Sequence, residues 1–213
     1  MIMTEGSLQF DFGANATAMK FDDTKFYRKS FAERMPEGKG VDFIALTKDR
    51  LMLIEVKNCT GYESESIWHT DTNLEQHKKS ILNKIPNCNE IKSSLEAKHC
   101  LFQMEDSFDI EIAKKVASTV ACMAGAATYS KEIELDAQIY DCYWKQWEKL
   151  KKGTLTLNVI LFLEGNFDSQ TRSKKMIMRR IQNKLREHLK WLNGTVMVVD
   201  ASTCTRYFQA FRL

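Results

Sequence analysis

Two short apolar runs separated by a polar turn constrain the fold of this chain more than any other feature of its sequence. Residues 40–58 read GVDFIALTKDRLMLIEVKN. Both runs are rich in Ile, Val, Leu and Phe, which is typical of β-strands, and the TKDR segment between them suits a tight turn. Because apolar residues occupy both faces of each run, the sequence predicts a hairpin at the centre of a sheet that is covered on both sides.

Three charged residues interrupt these apolar runs. If positions 48 and 49 are the central turn residues, Asp42 lies directly opposite Glu55, and Lys57 follows on the same face of the second strand. Two opposed carboxylates repel each other, and burial makes the repulsion worse. We therefore expect a positive charge between them. A divalent cation such as Mg²⁺ or Mn²⁺ fits, because these ions prefer oxygen ligands.

The residues around Glu55 add to this site. Val56 can offer its backbone carbonyl to the same ion, and Lys57 can hold an attacking water or stabilise negative charge as it develops. Such a set of groups suits the hydrolysis of a phosphodiester. The alternative is a structural salt bridge at the strand ends, in which one of the two acids pairs with Lys57 or with Arg34.

The segment G-V-D-F-I-A, the turn, and L-M-L-I-E-V-K resemble the core of the PD-(D/E)xK nuclease superfamily. Asp42 matches the first acid of that pattern, Glu55 the second and Lys57 the lysine, while Val41 stands where the family often has proline. The resemblance implies a restriction-endonuclease-like fold with an αβββαβ order. It also implies a Mg²⁺-dependent endonuclease or exonuclease that acts on nucleic acid, with DNA as the expected substrate.

Members of this superfamily usually carry a further acid on the helix before the first strand of the core. The candidates here are Asp22, Asp23 and Glu33, and spacing does not select among them. Asp22 and Asp23 also suit a helix cap, and Glu33 also suits a solvent-facing position. The acid that would complete the site therefore stays open at this point.

The remaining pattern predicts one α/β domain over residues 1–213, with a central mixed sheet flanked by helices. Residues 74–151 are expected to be largely helical and could be a helical insertion. The other expected elements are a helix, or a helix and a short strand, within residues 14–35, strands over 155–163 and 195–200, and an amphipathic helix over 174–192.

The last of these helices is strongly basic. Five of its cations lie mostly off its apolar stripe and are candidates for contacts with nucleic-acid phosphates: Lys174, Lys175, Arg179, Arg180 and Lys184. The alternative is a solvated outer face of a core helix. Trp144 and Trp147, on another predicted helix, suit either the core or a contact in a homodimer.

Composition excludes several classes of protein. No apolar run reaches the roughly 18 residues of a membrane span, and the N-terminus lacks the layout of a signal peptide. The six cysteines form no C-x-x-C pair, which argues against a zinc site and for reduced thiols in the cytoplasm. The net charge of +3 permits a nucleic-acid partner without requiring one.

The sequence thus favours a cytoplasmic, metal-dependent nuclease with Asp42, Glu55 and Lys57 at its centre. Two alternatives remain. One is a nuclease-like module that has lost activity and binds nucleic acid or a protein partner. The other is an unrelated α/β protein whose hairpin carries a structural salt bridge.

Overall fold

A computed structural model of the chain describes residues 1–60, 69–73, 76, 106–128, 145–168 and 172–213. In chain order, the strands are β1 (Ile2–Glu5), β2 (Leu8–Asp11), β3 (Thr17–Lys20), β4 (Phe43–Leu46), β5 (Arg50–Asn58), β6 (Thr156–Glu164), β7 (Thr195–Val199) and β8 (Gln209–Arg212). The described helices are α1 (Phe108–Ala127), α2 (Lys145–Lys151) and α3 (Lys174–His188), with a π-helical turn at Tyr27–Phe31 and a 3₁₀ turn at Cys204–Arg206.

Five strands form a mixed sheet in the order β3-β4-β5-β6-β7. The first three are antiparallel neighbours, whereas β5, β6 and β7 run parallel. Parallel neighbours need a crossover connection, and α1 and α3 lie in the two crossovers of this sheet. The α/β class and the mixed central sheet expected from the sequence are therefore confirmed.

The hairpin of β4 and β5 has the register predicted from its turn. Phe43 pairs with Ile54 and Leu46 pairs with Leu51, and the turn is closed by the Thr47 N–H, which donates to the Arg50 carbonyl. One further step along the same register brings position 42 opposite position 55. Nothing but the turn length was needed for this prediction, because a hairpin turn fixes the pairing of the strands that it joins.

Both faces of the central sheet are covered, as the apolar runs predicted. The face that carries Ile44 and Leu53 packs against buried side chains of α1 and α3, such as Val116 and Ile181. The opposite face packs against a second, three-stranded sheet with the order β1-β2-β8. Phe10 of β2 lies at this second interface and contacts the rings of Phe43 in β4, Phe162 in β6 and Phe208 just before β8.

Not every expected boundary is correct. Within residues 14–35 the structure has strand β3 followed by a short π-helical turn, which agrees with the expected alternative of a helix and a short strand, although the helical part is short. The basic helix ends at His188 rather than at residue 192. Most of residues 74–151 lie outside the described residues, but α1, which belongs to that segment, contributes to the core beside the central sheet.

No helix in the part of the chain that the structure describes is both long enough and apolar enough to cross a lipid bilayer.

Candidate functional site

The backbone on either side of Asp42 is anchored by three contacts. The Asp42 carbonyl accepts a hydrogen bond from the Phe21 N–H at 2.9 Å, and the Val41 N–H donates to the Thr119 hydroxyl of α1 at 3.0 Å. Two residues earlier, a Cβ on Gly40 would lie 2.6 Å from the Phe21 ring, so only glycine lets the chain pass this close. The start of β4 is thereby fixed against both β3 and α1.

The Asp42 carboxylate takes part in the strand ladder. Its Oδ2 accepts a hydrogen bond from the Val56 N–H at 2.7 Å. Because the N–H and C=O of one residue leave an extended strand on the same side, the Val56 carbonyl faces the Asp42 side as well. Burial raises the pKa of Asp42 to about 6, although Lys115 and the Val56 N–H favour the charged form.

Glu55 is the most deeply buried acid of the site, with only 1% of its surface exposed. Its Oε1 is paired with the ammoniums of Lys115 and Lys57, the latter at 3.4 Å. Its Oε2 is also buried, and no described residue gives it a hydrogen bond. Burial, reinforced by the charge of Asp42, raises the pKa of Glu55 to about 7. Within the described part of the chain, Glu55 therefore has one oxygen that is paired and one without a hydrogen-bond partner.

Two residues of α1 complete the charged cluster. Glu111 Oε1 lies 2.6 Å from the Lys57 ammonium and 3.8 Å from the Lys115 ammonium. Burial lowers the pKa of Lys115, but the charges of Glu55, Asp42 and Glu111 outweigh that effect, and its pKa is raised. Lys115 therefore stays charged, and the two carboxylates of the hairpin face a protein cation.

An open cavity of about 690 Å³ lies beside this cluster. Lys57, Glu111 and Lys115 form part of its wall. Phe108, at the start of α1, lies under the Lys57 ammonium at 5.8 Å from the ring centroid, and the His69 ring stacks on it at 5.2 Å. The site is thus reachable from solvent on the side where Lys57 and Lys115 end.

The three acids that the sequence offered as additional ligands lie elsewhere. Asp22, Asp23 and Glu33 are all exposed on the surface, and Asp23 pairs with Arg28. None of the three belongs to the wall of the cavity beside Lys57 as far as the structure describes it. Of the described acids, Glu111 is the one that contacts Lys57 from a helix.

The cations proposed for phosphate contacts divide into two groups. Lys174 lies 3.6 Å from Glu164 and 3.5 Å from Asp200, and Lys184 pairs with Glu187 at 2.8 Å. Lys175 and Arg179 are exposed, and Arg180 is half-buried. Lys175 and Arg179 are therefore still free to contact a polyanion. Lys174, in contrast, already pairs with acids at the ends of β6 and β7.

Glu111 and Lys115 were missed in the sequence, although a signal exists. Glu111, Lys115 and Thr119 recur every four residues, which aligns them on one face of a helix next to the core positions Ile112 and Val116. A polar stripe directly beside an apolar one indicates side chains that reach the ends of the covered strands. From the sequence alone, however, Glu111 and Lys115 could not be distinguished from an ordinary i,i+4 ion pair on a helix surface.

The residues present fit a divalent cation in part. Among the described residues, no three His, Cys, Asp or Glu side chains already converge as a set of metal ligands. The buried Oε2 of Glu55, which has no hydrogen-bond partner among the described residues, is nevertheless the kind of atom that a cation satisfies, and Asp42 and the Val56 carbonyl lie on the same side. A cation at this position would have to share the Glu55 carboxylate with the Lys115 ammonium or displace that ammonium.

The chain belongs to a family of unknown function (DUF6661), which it matches over residues 24–213. The matched part includes every residue of the cluster around Glu55. No curated protein and no solved structure matches the chain.

Proposed function

We propose that this protein is a metal-dependent nuclease that hydrolyses phosphodiester bonds in nucleic acid, with DNA as the expected substrate. One observation carries the proposal. The register of the β4–β5 hairpin, extended by one step, brings Asp42 opposite Glu55, and the Lys57 ammonium lies 3.4 Å from Glu55 and borders the open cavity. The pattern of the PD-(D/E)xK superfamily implies this arrangement for its first acid, its second acid and its lysine.

The order of the elements supports a restriction-endonuclease-like fold. Strands β3, β4 and β5 form an antiparallel meander, α1 follows, and β6 adds parallel to β5. This sequence of elements corresponds to the βββαβ part of the αβββαβ order. The π-helical turn at Tyr27–Phe31 lies between β3 and β4, and no acid on it approaches the site.

Asp42, Glu55 and the Val56 carbonyl would hold Mg²⁺ or Mn²⁺, and such an ion supplies a more acidic water and neutralises charge on a phosphate oxygen. The chain itself supplies the rest. Glu111 holds the Lys57 ammonium at 2.6 Å, which directs it toward the cavity where a phosphate or an attacking water would lie. Ile44 and Leu53, buried behind the acids, exclude water from the far side of the site.

The surroundings of the site suit a polyanion in a reducing compartment. Lys175 and Arg179 are exposed on α3, so cations are available to contact phosphates beyond the cleaved bond. Among the described residues, Cys122 and Cys204 are buried free thiols, which supports a cytoplasmic location.

A specific observation favours a second candidate, a nuclease-like module that binds nucleic acid or a protein without cutting. Lys115 stands beside Glu55 as the positive charge that the opposed carboxylates require. A buried carboxylate that is already paired with lysine needs no metal for its stability. If Lys115 cannot leave, the cluster is a structural ion network.

The two candidates are separated by a cleavage assay. The parent protein is incubated with plasmid and with single-stranded DNA in Mn²⁺ or in EDTA, beside Glu55→Gln and Lys57→Met. Lys114→Met is the matched control, because Lys114 borders the same cavity but pairs with Asp106 instead of Glu55. The nuclease proposal expects cutting that needs Mn²⁺, is lost in the first two variants and survives in the control.

Binding of DNA without any cutting by the parent favours the inactive module. Cutting that persists in Glu55→Gln and Lys57→Met contradicts the assignment of the site.

A further inference from the structure

We infer that Lys115 is an internal counter-ion that occupies the cation position between Asp42 and Glu55, so that a divalent metal ion binds there only by displacing it. The inference rests on the proposed function, since it concerns the same metal site. It adds Lys115, which belongs neither to the hairpin motif nor to the PD-(D/E)xK pattern that the motif resembles. It also predicts that Lys115 sets the affinity of the site for metal.

The contacts of Lys115 carry this inference. Its ammonium is paired with Glu55 Oε1 and lies 3.8 Å from Glu111 Oε1, and the charge of Asp42 also acts on it. Its side chain is only 13% exposed, so water supplies little of the solvation that it needs. Lys115 therefore contacts Glu55 of β5 and Glu111 of its own helix, and it lies within the electrostatic influence of Asp42 at the start of β4.

The helix that carries Lys115 is fixed in place on both sides of it. Ile112 and Val116 are fully buried in the core beside the sheet. Thr119, one turn further on, accepts a hydrogen bond from the Val41 N–H and donates one to the Lys115 carbonyl. The backbone of Lys115 cannot retreat, and displacement has to occur by rotation of its side chain.

The balance of charge indicates exchange rather than addition. Three carboxylates, those of Asp42, Glu55 and Glu111, face two ammoniums, those of Lys57 and Lys115, which leaves one excess negative charge. A divalent ion that joined this cluster would leave an excess positive charge in a buried place. A divalent ion that replaced Lys115 would bring the cluster to neutrality, which costs least where solvent is excluded.

The cavity gives the displaced ammonium a place to go. Lys115 already forms part of the cavity wall, and its four-carbon stem is flexible. A phosphate of a bound nucleic acid in this cavity would accept the ammonium that the metal releases. Metal and nucleic acid should consequently strengthen each other's binding, because each of them lowers the free-energy cost of moving Lys115 away from Glu55.

The test is the affinity for Mn²⁺ in the absence of nucleic acid, measured by calorimetric titration at pH 8. We expect Lys115→Met to bind Mn²⁺ at least about tenfold more tightly than the parent, since the competing cation is gone. Lys115→Arg keeps the charge and should keep the affinity of the parent.

Lys114→Met is the matched control, because Lys114 neighbours Lys115 on α1 but pairs with Asp106, and its affinity should not change. Adding Glu55→Gln to Lys115→Met should abolish the tight binding, which assigns the ion to Glu55. Circular dichroism verifies folding, and Lys115→Gln provides the same comparison if the Met variant does not fold.

The outcomes distinguish this inference from the proposed function. If the parent cuts DNA with Mn²⁺ but Lys115→Met binds Mn²⁺ no more tightly than the parent, the displacement idea is overturned and the nuclease stands. If the parent neither binds Mn²⁺ nor cuts while Lys115→Met binds it, Lys115 blocks the metal position and the nuclease proposal gives way to the inactive module. If no variant binds Mn²⁺, both are overturned.

Discussion

Oδ2 of Asp42 accepts the backbone N–H of Val56 over 2.7 Å, so a side chain continues the hydrogen bonding of the β4–β5 hairpin beyond the last backbone pair. This contact orients the carboxylate and occupies one of its oxygens. It also holds Val56 between Glu55 and Lys57, whose side chains point to the opposite face. Asp42 thus has a structural role that is separate from its charge, and the two roles can be tested separately.

Asparagine at position 42 preserves the acceptor and removes the charge, whereas alanine removes both. We expect Asp42→Ala to be less stable than Asp42→Asn by about 1–3 kcal/mol, because only alanine leaves the Val56 N–H without its acceptor. Urea unfolding in EDTA measures this difference. Both variants should lose Mn²⁺-dependent cleavage. Equal stability of the two would mean that the Val56 hydrogen bond contributes nothing to the fold.

Glu111 should act on the reaction through Lys57. Without its charge, the Lys57 ammonium loses the partner at 2.6 Å that directs it, and we expect Glu111→Gln to lower kcat about tenfold with little change in KM. Any residual cleavage by Lys57→Met should not be lowered further by the same change, because the two residues act as a unit. Glu37→Gln, at the wall of the same cavity, is the control and should behave as the parent does. Additive losses in the double variant would contradict this coupling.

The hairpin could be predicted in detail because its information is local. The turn length fixes the pairing of β4 with β5, and the alternation of side chains then fixes which residues share a face with Glu55. The same reasoning required a positive charge near the two acids. It proposed a metal ion, with a salt bridge from Lys57 or Arg34 as the alternative, and in the structure the Lys57 ammonium lies 3.4 Å from Glu55.

Lys115 could not be assigned to that position because it depends on tertiary packing. Sixty residues separate it from Glu55, and only the packing of α1 across the end of β5 brings them together. The second sheet escaped prediction for a similar reason, since β2 and β8 come from opposite ends of the chain. Strands of four residues carry too little alternation to be distinguished from loops.

The buried Glu55 should make the protein less stable as the pH rises. Its pKa is raised to about 7 from an ordinary value of 4.5, so between these values the folded protein binds more protons than the unfolded chain, and stability falls with increasing pH. The loss of unfolding free energy caused by ionising Glu55 reaches its full value above pH 7 and amounts to roughly 3 kcal/mol.

Glu55→Gln removes this titration and leaves the other groups in place. We expect the unfolding free energy of the Gln variant, relative to that of the parent, to increase by up to ~3 kcal/mol from about pH 5 to pH 8. Urea unfolding at a series of pH values, with EDTA throughout, provides the measurement. A difference that does not vary with pH would show that Glu55 titrates alike in the folded and unfolded protein.

Gly165 directly follows β6 and packs against the backbone that follows β5, so we expect it to tolerate no side chain. Its φ is +110°, and a Cβ there would lie 2.6 Å from the Cys59 carbonyl carbon and 2.7 Å from the Thr60 nitrogen. Both neighbours are backbone atoms, which cannot rotate away. We expect Gly165→Ala to lower the free energy of unfolding by about 3 kcal/mol or more.

Gly125→Ala is the matched control, because this glycine lies within α1 and a Cβ on it would have no heavy atom within 4 Å. Alanine is the better helix former, so this variant should gain about 0.5–1 kcal/mol. Urea unfolding of both variants at one pH makes the comparison. A Gly165→Ala protein as stable as the Gly125→Ala protein would mean that the loop after β6 does not press on Cys59 and Thr60.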